Sequence, residues 1–355
     1  MAKKSALNIV KGVEQAPYIN PNWKAREQLS IDIEELANGV LMGDAMALSR
    51  AITLVESTKI EDDERSRTLL NKIVPSKNKA FRIGISGVPG VGKSTFLEAY
   101  CSFLLERDST SKIAILAIDP SSELTKGSIL GDKTRMQSIG KSDRVFIRPS
   151  SSGGRLGGVA RNTYEAVALC EAAGFDFIFV ETVGVGQSET VVSKLTDCFL
   201  FLAMPGTGDE LQGVKKGIME MADIIALNKC DGARMAQAME SALELQTALQ
   251  LITRIQDDWQ TPVVQISALE SSGLQEIWSE LDKYHRHSML KGWFKTKRRN
   301  QREYWFKENV GTLLFSSILK SDAWKEHHDN LLKKVASGNL SPFEASRMLV
   351  ENLLT

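Results

Sequence analysis

Cysteine and histidine are both scarce in this chain, with four of each among 355 residues. The cysteines stand far apart at positions 101, 170, 198 and 230, and no two of them form a CxxC pair. This distribution excludes a disulfide framework and favours reduced thiols inside a cell. A metal-delivery site needs clustered cysteine or histidine, and all four histidines come late in the chain, at His285, His287, His327 and His328.

An excess of charge of either sign is also absent, because 44 Lys and Arg residues balance 44 Asp and Glu residues. A balanced chain has no overall field that favours nucleic acid or a membrane surface. The sequence has no stretch of the roughly 20 apolar residues that a membrane-spanning helix needs. Its first residues show no apolar signal core and are not rich in arginine. These absences predict a cytoplasmic protein with neither nucleic acid nor membrane among its partners.

One glycine-rich segment matches the P-loop pattern G-x-x-x-x-G-K-[ST]. It follows an apolar run at residues 81–86 and precedes apolar residues at helical spacing up to Leu105. A chance glycine-rich turn is the alternative, but the strand and helix on its two sides favour a phosphate-binding loop. The nine residues of this loop are Gly87, Val88, Pro89, Gly90, Val91, Gly92, Lys93, Ser94 and Thr95.

The residue types of this loop suit nucleotide chemistry. Glycines let backbone N–H groups turn towards phosphate oxygens, and a helix N-terminus adds its positive dipole end. In such a loop Lys93 reaches the β- and γ-phosphates and the Ser94 hydroxyl holds Mg²⁺. We therefore expect hydrolysis by in-line attack of water, with Lys93 neutralising the developing charge.

A second segment, Asn228–Asp231, has the N-K-x-D pattern directly after an apolar strand. The Asp231 carboxylate can accept hydrogen bonds from both N1–H and the 2-amino group of guanine, a donor pair that adenine lacks. Asn228 and Lys229 would brace the loop and cover the base. An ordinary strand-to-helix turn is the alternative for so short a match. Three residues after a later strand predict a second guanine loop, namely Ser267, Ala268 and Leu269.

Three acids are candidates for the magnesium site together with Ser94. Asp119 and Glu181 each follow an apolar strand, and Asp132 lies in the long polar segment after Asp119. Strand C-termini face the ligand in parallel sheets, and Mg²⁺ prefers oxygen ligands. A helix cap or a solvated charge is the alternative for each acid, and the two possibilities are evenly balanced for Asp132.

Two glycine-flanked segments are candidates for loops that move. The first, Glu181–Glu189, resembles a loop that senses the γ-phosphate and is released when that phosphate is lost, and Gln187 within it is a candidate for orienting the attacking water. The second, Pro205–Gly217, is another candidate mobile segment. A plain loop that leads into a helix is the alternative for the second segment.

Strand and helix patterns alternate after residue 79, which is typical of α/β proteins. We predict a P-loop NTPase domain with a mostly parallel sheet flanked by helices, preceded by a helical unit and followed by helices. The predicted organisation is a loose arm at 1–28, a helical unit at 29–78, a P-loop G domain at 79–288 and a C-terminal helical region at 289–355.

In the C-terminal helical region, basic and aromatic residues interleave between Lys291 and Phe306. RNA binding is one explanation, but the balanced total charge favours packing or a subunit contact.

Several longer motifs resemble the MeaB/ArgK family of P-loop GTPases, which includes the methylmalonic aciduria type A protein. Besides the P-loop, they are Asp119–Ser122, Gly127–Met136, Glu181–Glu189 and Asp209–Gly217. The resemblance extends from about Ile31 to the C-terminus. Two places depart from the family pattern: Glu123 and Lys126 replace the usual proline and glycine, and residues 151–156 differ from the usual serine-proline loop.

This resemblance implies a homodimer formed through the C-terminal helical region and a G domain that binds Mg²⁺ with GTP or GDP. It also implies a chaperone that gates cofactor loading and protects or reactivates an adenosylcobalamin-dependent acyl-CoA mutase, with methylmalonyl-CoA mutase as the first candidate, without binding cobalamin itself. By the resemblance, Asp119, Asp132 and Glu181 match the magnesium-site acids. Gln212 and Lys215 match a third switch that responds to the mutase, so Lys215 joins Lys93 and Gln187 as a catalytic candidate.

Three alternatives remain open at this point. A metallochaperone GTPase for nickel enzymes needs a His- or Cys-rich site. A GTP-dependent binding module would hydrolyse GTP only incidentally. A kinase acting in arginine transport would need an acceptor site, which the sequence does not reveal.

Overall fold

The computed structural model describes residues 32–57, 59–73, 80–119, 136, 138–151, 158–182, 188–206, 216–251 and 258–354. The predictions for the arm at 1–28, for Glu123 and Lys126, and for Asp132, Gln187, Gln212 and Lys215 lie outside these residues. Of the described helices, none has both the length and the apolar character needed to cross a membrane.

The described residues contain seven strands, which form one parallel sheet: β1 (Phe81–Gly87), β2 (Ile113–Asp119), β3 (Val145–Ser151), β4 (Phe177–Thr182), β5 (Cys198–Ala203), β6 (Ile224–Leu227) and β7 (Val263–Gln265). Their order across the sheet is β3-β2-β4-β1-β5-β6-β7. Strand β1, which precedes the P-loop, is therefore central, with β4 on one side and β5 on the other.

The central strands are apolar on both faces because helices cover both sides of the sheet. Every residue of β1, β5 and β6 is buried. Each of the seven strands coincides with a strand pattern in the sequence, and the ends differ by up to three residues. The apolar run that begins at Phe175 enters the sheet only at Phe177 and ends at Thr182. Just before the strand, the Asp176 carboxylate accepts a hydrogen bond from the Lys112 amide at 2.9 Å.

Twelve α-helices surround the sheet in the described part of the chain. Three precede it and pack on one another and on α5. Close approach of α1 and α2 requires Gly39, since a Cβ there would lie 2.7 Å from Ala47 Cβ. The helices are α1 (Ile33–Leu41), α2 (Ala45–Glu56), α3 (Ile60–Ile73), α4 (Lys93–Arg107), α5 (Gly158–Ala172), α6 (Ser188–Ser193), α7 (Lys216–Met221), α8 (Met235–Gln250), α9 (Leu274–Leu290), α10 (Trp293–Lys320), α11 (Asp322–Ala336) and α12 (Pro342–Leu354).

The basic and aromatic segment at the start of α10 packs against α5 and the segment before β5, which confirms the packing alternative for the residues that make the contact. Arg298 donates to both carboxylate oxygens of Asp197, at 2.7 and 2.6 Å, and to Glu171 at 2.9 Å. Arg82 of β1 pairs with the same Glu171. Trp305 is buried and stacks on Tyr164 at a centroid distance of 5.3 Å.

The charged side chains of Arg82, Glu171, Asp197 and Arg298 form a nearly buried network at the amino-terminal edge of the sheet, where β1 begins. Burial alone lowers the pKa of Arg298, but its hydrogen bonds to Asp197 and Glu171 outweigh burial and raise it. The network joins β1, the segment before β5, α5 and α10. We call the set Arg82, Glu171, Asp197 and Arg298 the basal charge network.

Candidate functional site

The P-loop connects β1 to α4 at the carboxyl edge of the sheet. Gly87 ends β1 and lies so close to β5 that a Cβ on it would approach the Leu202 carbonyl oxygen to 2.4 Å. Gly92 has φ +95°, in the left-handed region that favours glycine, and directly precedes α4. The Lys93 Nζ donates to the Gly87 carbonyl at 2.9 Å across the loop. The loop thus places its lysine at the N-terminus of a 15-residue helix, where the helix dipole favours phosphate.

The predicted guanine loop contacts the P-loop directly. The Asn228 amide donates to the Val91 carbonyl at 2.8 Å, and its oxygen accepts from the Ala268 amide at 2.9 Å. Asn228 itself is 2 % exposed. One buried side chain therefore ties together the P-loop, the N-K-x-D loop and the Ser267–Leu269 loop, three segments that are distant in the sequence.

Lys229 and Asp231 complete this arrangement. Lys229 has φ +66°, which is uncommon for a residue with a side chain and is typical of functional loops. Its ammonium group donates to the Gly90 carbonyl at 2.7 Å. The Ser267 hydroxyl donates to Asp231 at 2.5 Å and fixes the orientation of that carboxylate. Leu269 beside it is 82 % exposed, so the described chain leaves its side chain uncovered at the mouth of the site.

Two of the predicted magnesium-site acids lie on neighbouring strands beside the P-loop. Strand β4 runs between β1 and β2, and Glu181 is in register with Ile85 on one side and Ala117 on the other. Glu181 is buried, and Asp119 is the last residue of β2. The Ser94 hydroxyl, in the first turn of α4, and the buried Glu181 carboxylate are hard oxygen donors of the kind that Mg²⁺ prefers, so these two side chains fit this ion.

Two contacts at the same edge are not predicted by the sequence analysis. The Thr182 hydroxyl donates to the Ser86 hydroxyl at 2.9 Å, joining β4 to β1 directly below the P-loop. The Gly206 amide, after β5, donates to Ser241 of α8 at 3.2 Å. The sequence contains a signal for the contact between Ser86 and Thr182, because both are small polar residues near the ends of mainly apolar strands. The second depends on tertiary packing and has no local signal.

Chemistry other than nucleotide binding has little support in the described residues. Among them no group of three or more His, Cys, Asp or Glu side chains could hold a metal ion. The cysteines are free thiols, and burial raises the pKa values of Cys101, Cys170 and Cys198. Raised thiol pKa values make these side chains poor nucleophiles and poor metal ligands at neutral pH.

A P-loop beneath a guanine-type N-K-x-D loop, on a parallel sheet covered by helices, defines this protein as a P-loop GTPase. Comparison with protein families makes the assignment specific. Residues 48–323 match the family described as methylmalonyl Co-A mutase-associated GTPase MeaB. The chain therefore belongs to the MeaB family.

Relatives agree with this assignment over most of their own lengths. The chain is 43% identical over 319 residues to a protein of Mycobacterium tuberculosis named probable GTPase Rv1496, covering 90% of this chain and 94% of the relative. It is 40% identical to GTPase ArgK of Escherichia coli, covering 88% and 94%. It is 38% identical to the methylmalonic aciduria type A homolog, mitochondrial, of Mus musculus, covering 90% and 79%.

Among solved structures, the fold resembles a protein described as LAO/AO transport system kinase. The TM-score is 0.70 at 33% sequence identity, with 91% of this chain and 98% of that chain covered. The helices that precede and follow the sheet are thus part of the shared architecture, because the P-loop domain alone occupies much less of the chain.

Proposed function

We propose that this GTPase is a nucleotide-dependent chaperone of an adenosylcobalamin-dependent acyl-CoA mutase, with methylmalonyl-CoA mutase as the first candidate client. The observation that carries the GTPase chemistry is the Asn228 bridge between the P-loop and both guanine loops. The mutase is supported by the description of the family and by the names of the animal relatives. In this proposal the protein gates cofactor loading and protects or reactivates the mutase, without binding cobalamin itself.

Hydrolysis would follow from the arrangement of this chain's own groups. Lys93 exchanges its hydrogen bond with the Gly87 carbonyl for the β- and γ-phosphates, and the amides of the loop hold the phosphate oxygens. Asp231, oriented by Ser267, accepts from the guanine base. Ser94, Asp119, Asp132 and Glu181 would hold Mg²⁺, which supplies Lewis-acid neutralisation of phosphate charge when bound.

The remaining catalytic assignments come from the sequence. Gln187 is proposed to orient the water, and Lys215, with Gln212, to belong to a switch that responds to the mutase. No arginine that could act on the γ-phosphate is evident from the sequence, so we expect slow intrinsic turnover and acceleration by a partner.

We also propose that two copies associate through the C-terminal helices. The second half of α10 exposes three apolar side chains that are consecutive in the sequence, Leu313 (40 % exposed), Leu314 (60 %) and Phe315 (53 %). An exposed apolar patch of this kind marks an interface. A second copy fits it because the face is on a helix that follows the G domain and leaves the nucleotide site uncovered.

The test is steady-state GTP hydrolysis with and without the host's methylmalonyl-CoA mutase, alongside gel filtration of the mixture. Partner-dependent acceleration with co-elution supports the proposal. Unaccelerated turnover without a complex contradicts it for this mutase, and other cobalamin-dependent mutases such as isobutyryl-CoA mutase are then tested in the same way.

A binding module with incidental hydrolysis predicts a different result in the same assay. In that case the mutase changes nucleotide affinity, while the single-turnover hydrolysis rate of bound GTP stays the same. The single-turnover measurement therefore separates the two functions.

A further inference from the structure

A cavity of about 180 Å³ lies between the sheet and helices α4 and α9. Phe81 and Ile83 of β1 and Phe177 of β4 line it on the sheet side. Tyr100 of α4 and Leu281 of α9 line it on the helix side. Phe81 and Phe177 are the first residues of their strands, so the cavity lies towards the amino-terminal edge of the sheet. It is therefore separate from the nucleotide site, which lies at the carboxyl edge.

Much of the cavity wall is aromatic. Phe177 meets the indole of Trp278 edge-on at a centroid distance of 6.0 Å, and Phe81 lies against the His285 ring at 4.6 Å. Burial lowers the pKa of His285 below its usual 6.5, so its ring is uncharged at neutral pH. Aromatic walls favour an aromatic ligand, because ring pairs gain from offset-stacked and edge-to-face contacts.

The Tyr100 hydroxyl is a polar group in this wall that lacks a partner. Tyr100 is 0 % exposed, and its hydroxyl has no hydrogen-bond partner among the residues that the structure describes. Its ring packs against Phe96 at 5.3 Å, Phe103 at 5.9 Å and Phe179 at 6.1 Å, so the side chain has no room to turn elsewhere. Burial raises the pKa of Tyr100, so the hydroxyl keeps its proton and can both donate and accept. Buried polar groups are nearly always hydrogen-bonded, so a ligand that bonds to this hydroxyl would remove an energetic cost.

The charged groups around the cavity balance one another. Asp176 and Asp282 contribute two carboxylates to its lining. Arg286 pairs with Asp282 at 2.7 Å, and the Arg107 guanidinium lies over the Trp278 ring at 4.8 Å from its centroid. Two negative and two positive groups leave no net charge that would select an anion or a cation. The surroundings therefore favour an uncharged ligand.

The size of the cavity limits the ligand to one aromatic ring with small substituents. An apolar cavity of about 150 Å³ is enough to hold benzene. From the volume, the aromatic wall and the Tyr100 hydroxyl, we infer that this cavity binds a small, uncharged aromatic molecule with a hydroxyl group, which hydrogen-bonds to Tyr100. The inference does not depend on the chaperone function proposed above.

The experiment is a titration of the full-length protein with two probes that differ by one hydroxyl group, p-cresol and toluene. Isotope-labelled isoleucine methyl groups report where each probe binds by NMR. Ile83 lines the cavity, and Ile225 of β6 is a buried reference at a distant position in the sheet. Tyr100→Phe removes the hydroxyl and keeps the ring. Tyr164→Phe makes the same change on α5, at a tyrosine that stacks on Trp305 instead, and is the matched control.

We expect p-cresol to shift the Ile83 methyl signal and not that of Ile225, with a dissociation constant of about 1 mM, as is usual for so small a ligand. In Tyr100→Phe the ratio of p-cresol affinity to toluene affinity should fall about fivefold, the effect of one neutral hydrogen bond. Tyr164→Phe should keep the wild-type ratio. Because the Tyr100 hydroxyl has no partner in the described chain, Tyr100→Phe should melt no lower than the wild type.

Three results would overturn the inference. An Ile83 methyl signal that p-cresol leaves unmoved at about 10 mM, tenfold above the expected dissociation constant, would mean that the cavity holds only water. An affinity ratio that Tyr100→Phe leaves unchanged would show that the hydroxyl does not contact the ligand. A lower melting temperature for Tyr100→Phe would show that the hydroxyl already has a partner within the protein. None of these results bears on GTP hydrolysis or on the mutase, so the proposed function is judged separately.

Discussion

The two edges of the sheet are held together by different chemistry. At the carboxyl edge, neutral amide and hydroxyl groups and one lysine bridge the loops through backbone carbonyls, with Asn228 as the central contact. At the amino-terminal edge, the basal charge network pairs two arginines with two carboxylates. The first arrangement leaves Lys93 and Asp231 available to a ligand. The second satisfies charged groups with one another and fixes α10 to the domain.

This contrast implies that substitutions at the two edges have different consequences. Changes to Lys93 and Asp231 at the carboxyl edge should alter nucleotide chemistry with little effect on folding, because these two side chains are only partly buried. Changes at the opposite edge should reduce stability with little direct effect on nucleotide affinity, because the affected groups contact only protein.

The largest expected effect is that of Lys93→Ala on hydrolysis. Loss of the ammonium group removes charge stabilisation in the transition state, and we expect the single-turnover rate to fall about 10³-fold. The melting temperature should stay close to that of the wild type, since the hydrogen bond lost with Lys93 lies within a loop. Single-turnover hydrolysis of labelled GTP measures the rate. Near-normal hydrolysis by this variant would falsify the assignment of the P-loop lysine.

The next effect concerns stability at the opposite edge. Arg298→Met leaves Asp197 and Glu171 buried with less compensation, and we expect a loss of about 3 kcal/mol in the free energy of unfolding. Urea unfolding of this variant is compared with that of Arg347→Met, which breaks an exposed ion pair with Glu344. Equal stability losses in the two variants would contradict the idea that burial gives the network its importance.

Asp231→Asn tests the contrast between the two edges of the sheet, because it should change base selectivity and leave the free energy of unfolding nearly unaltered. The asparagine amide no longer accepts from the guanine 2-amino group but can donate to the carbonyl that xanthine carries there. We expect guanine nucleotide affinity to fall about 10²-fold and xanthine nucleotide affinity to rise. Competition binding with GDP, ADP and xanthosine diphosphate measures the change. A GDP preference that survives the substitution would refute the base assignment.

Local patterns predict most of the carboxyl edge, and the reason is physical. A strand that ends in a glycine loop and a helix start is encoded by neighbouring residues, so Gly87–Thr95 and Asn228–Asp231 are visible in the sequence. The inner strands β1, β4, β5 and β6 are visible because strands buried on both faces are continuously apolar. The sequence does not show where β4 begins, because Asp176 just before it is held by Lys112, which is distant in sequence.

The amino-terminal edge is much less predictable. Residue Arg298 stands 101 positions from Asp197 and 127 from Glu171, and no local pattern pairs such distant charges. The sequence therefore predicts that the basic segment packs against the rest of the chain, but it does not predict which carboxylates pair with it. The contacts of Gln301 and Trp305 are hidden for the same reason, since their acceptors are the backbone carbonyls of Thr196 and Lys194, and every residue possesses such a carbonyl.

The smallest expected effect is a pH dependence at the amino-terminal edge, from His285. This side chain lies against Phe81 and Phe294, and burial lowers its pKa below the usual 6.5. Between the folded-state pKa and 6.5 the unfolded chain binds more protons, so the stabilising contribution is complete above 6.5 and decreases as the pH falls. The slope cannot exceed about 1.4 kcal/mol per pH unit for one proton. Urea unfolding measures this pH dependence of the free energy of unfolding between pH 7.5 and 5.5, which is about the range in which histidine titrates. His285→Phe should flatten the profile, and His327→Phe on α11 is the control. Equal profiles for wild type and His285→Phe would exclude His285 as the cause.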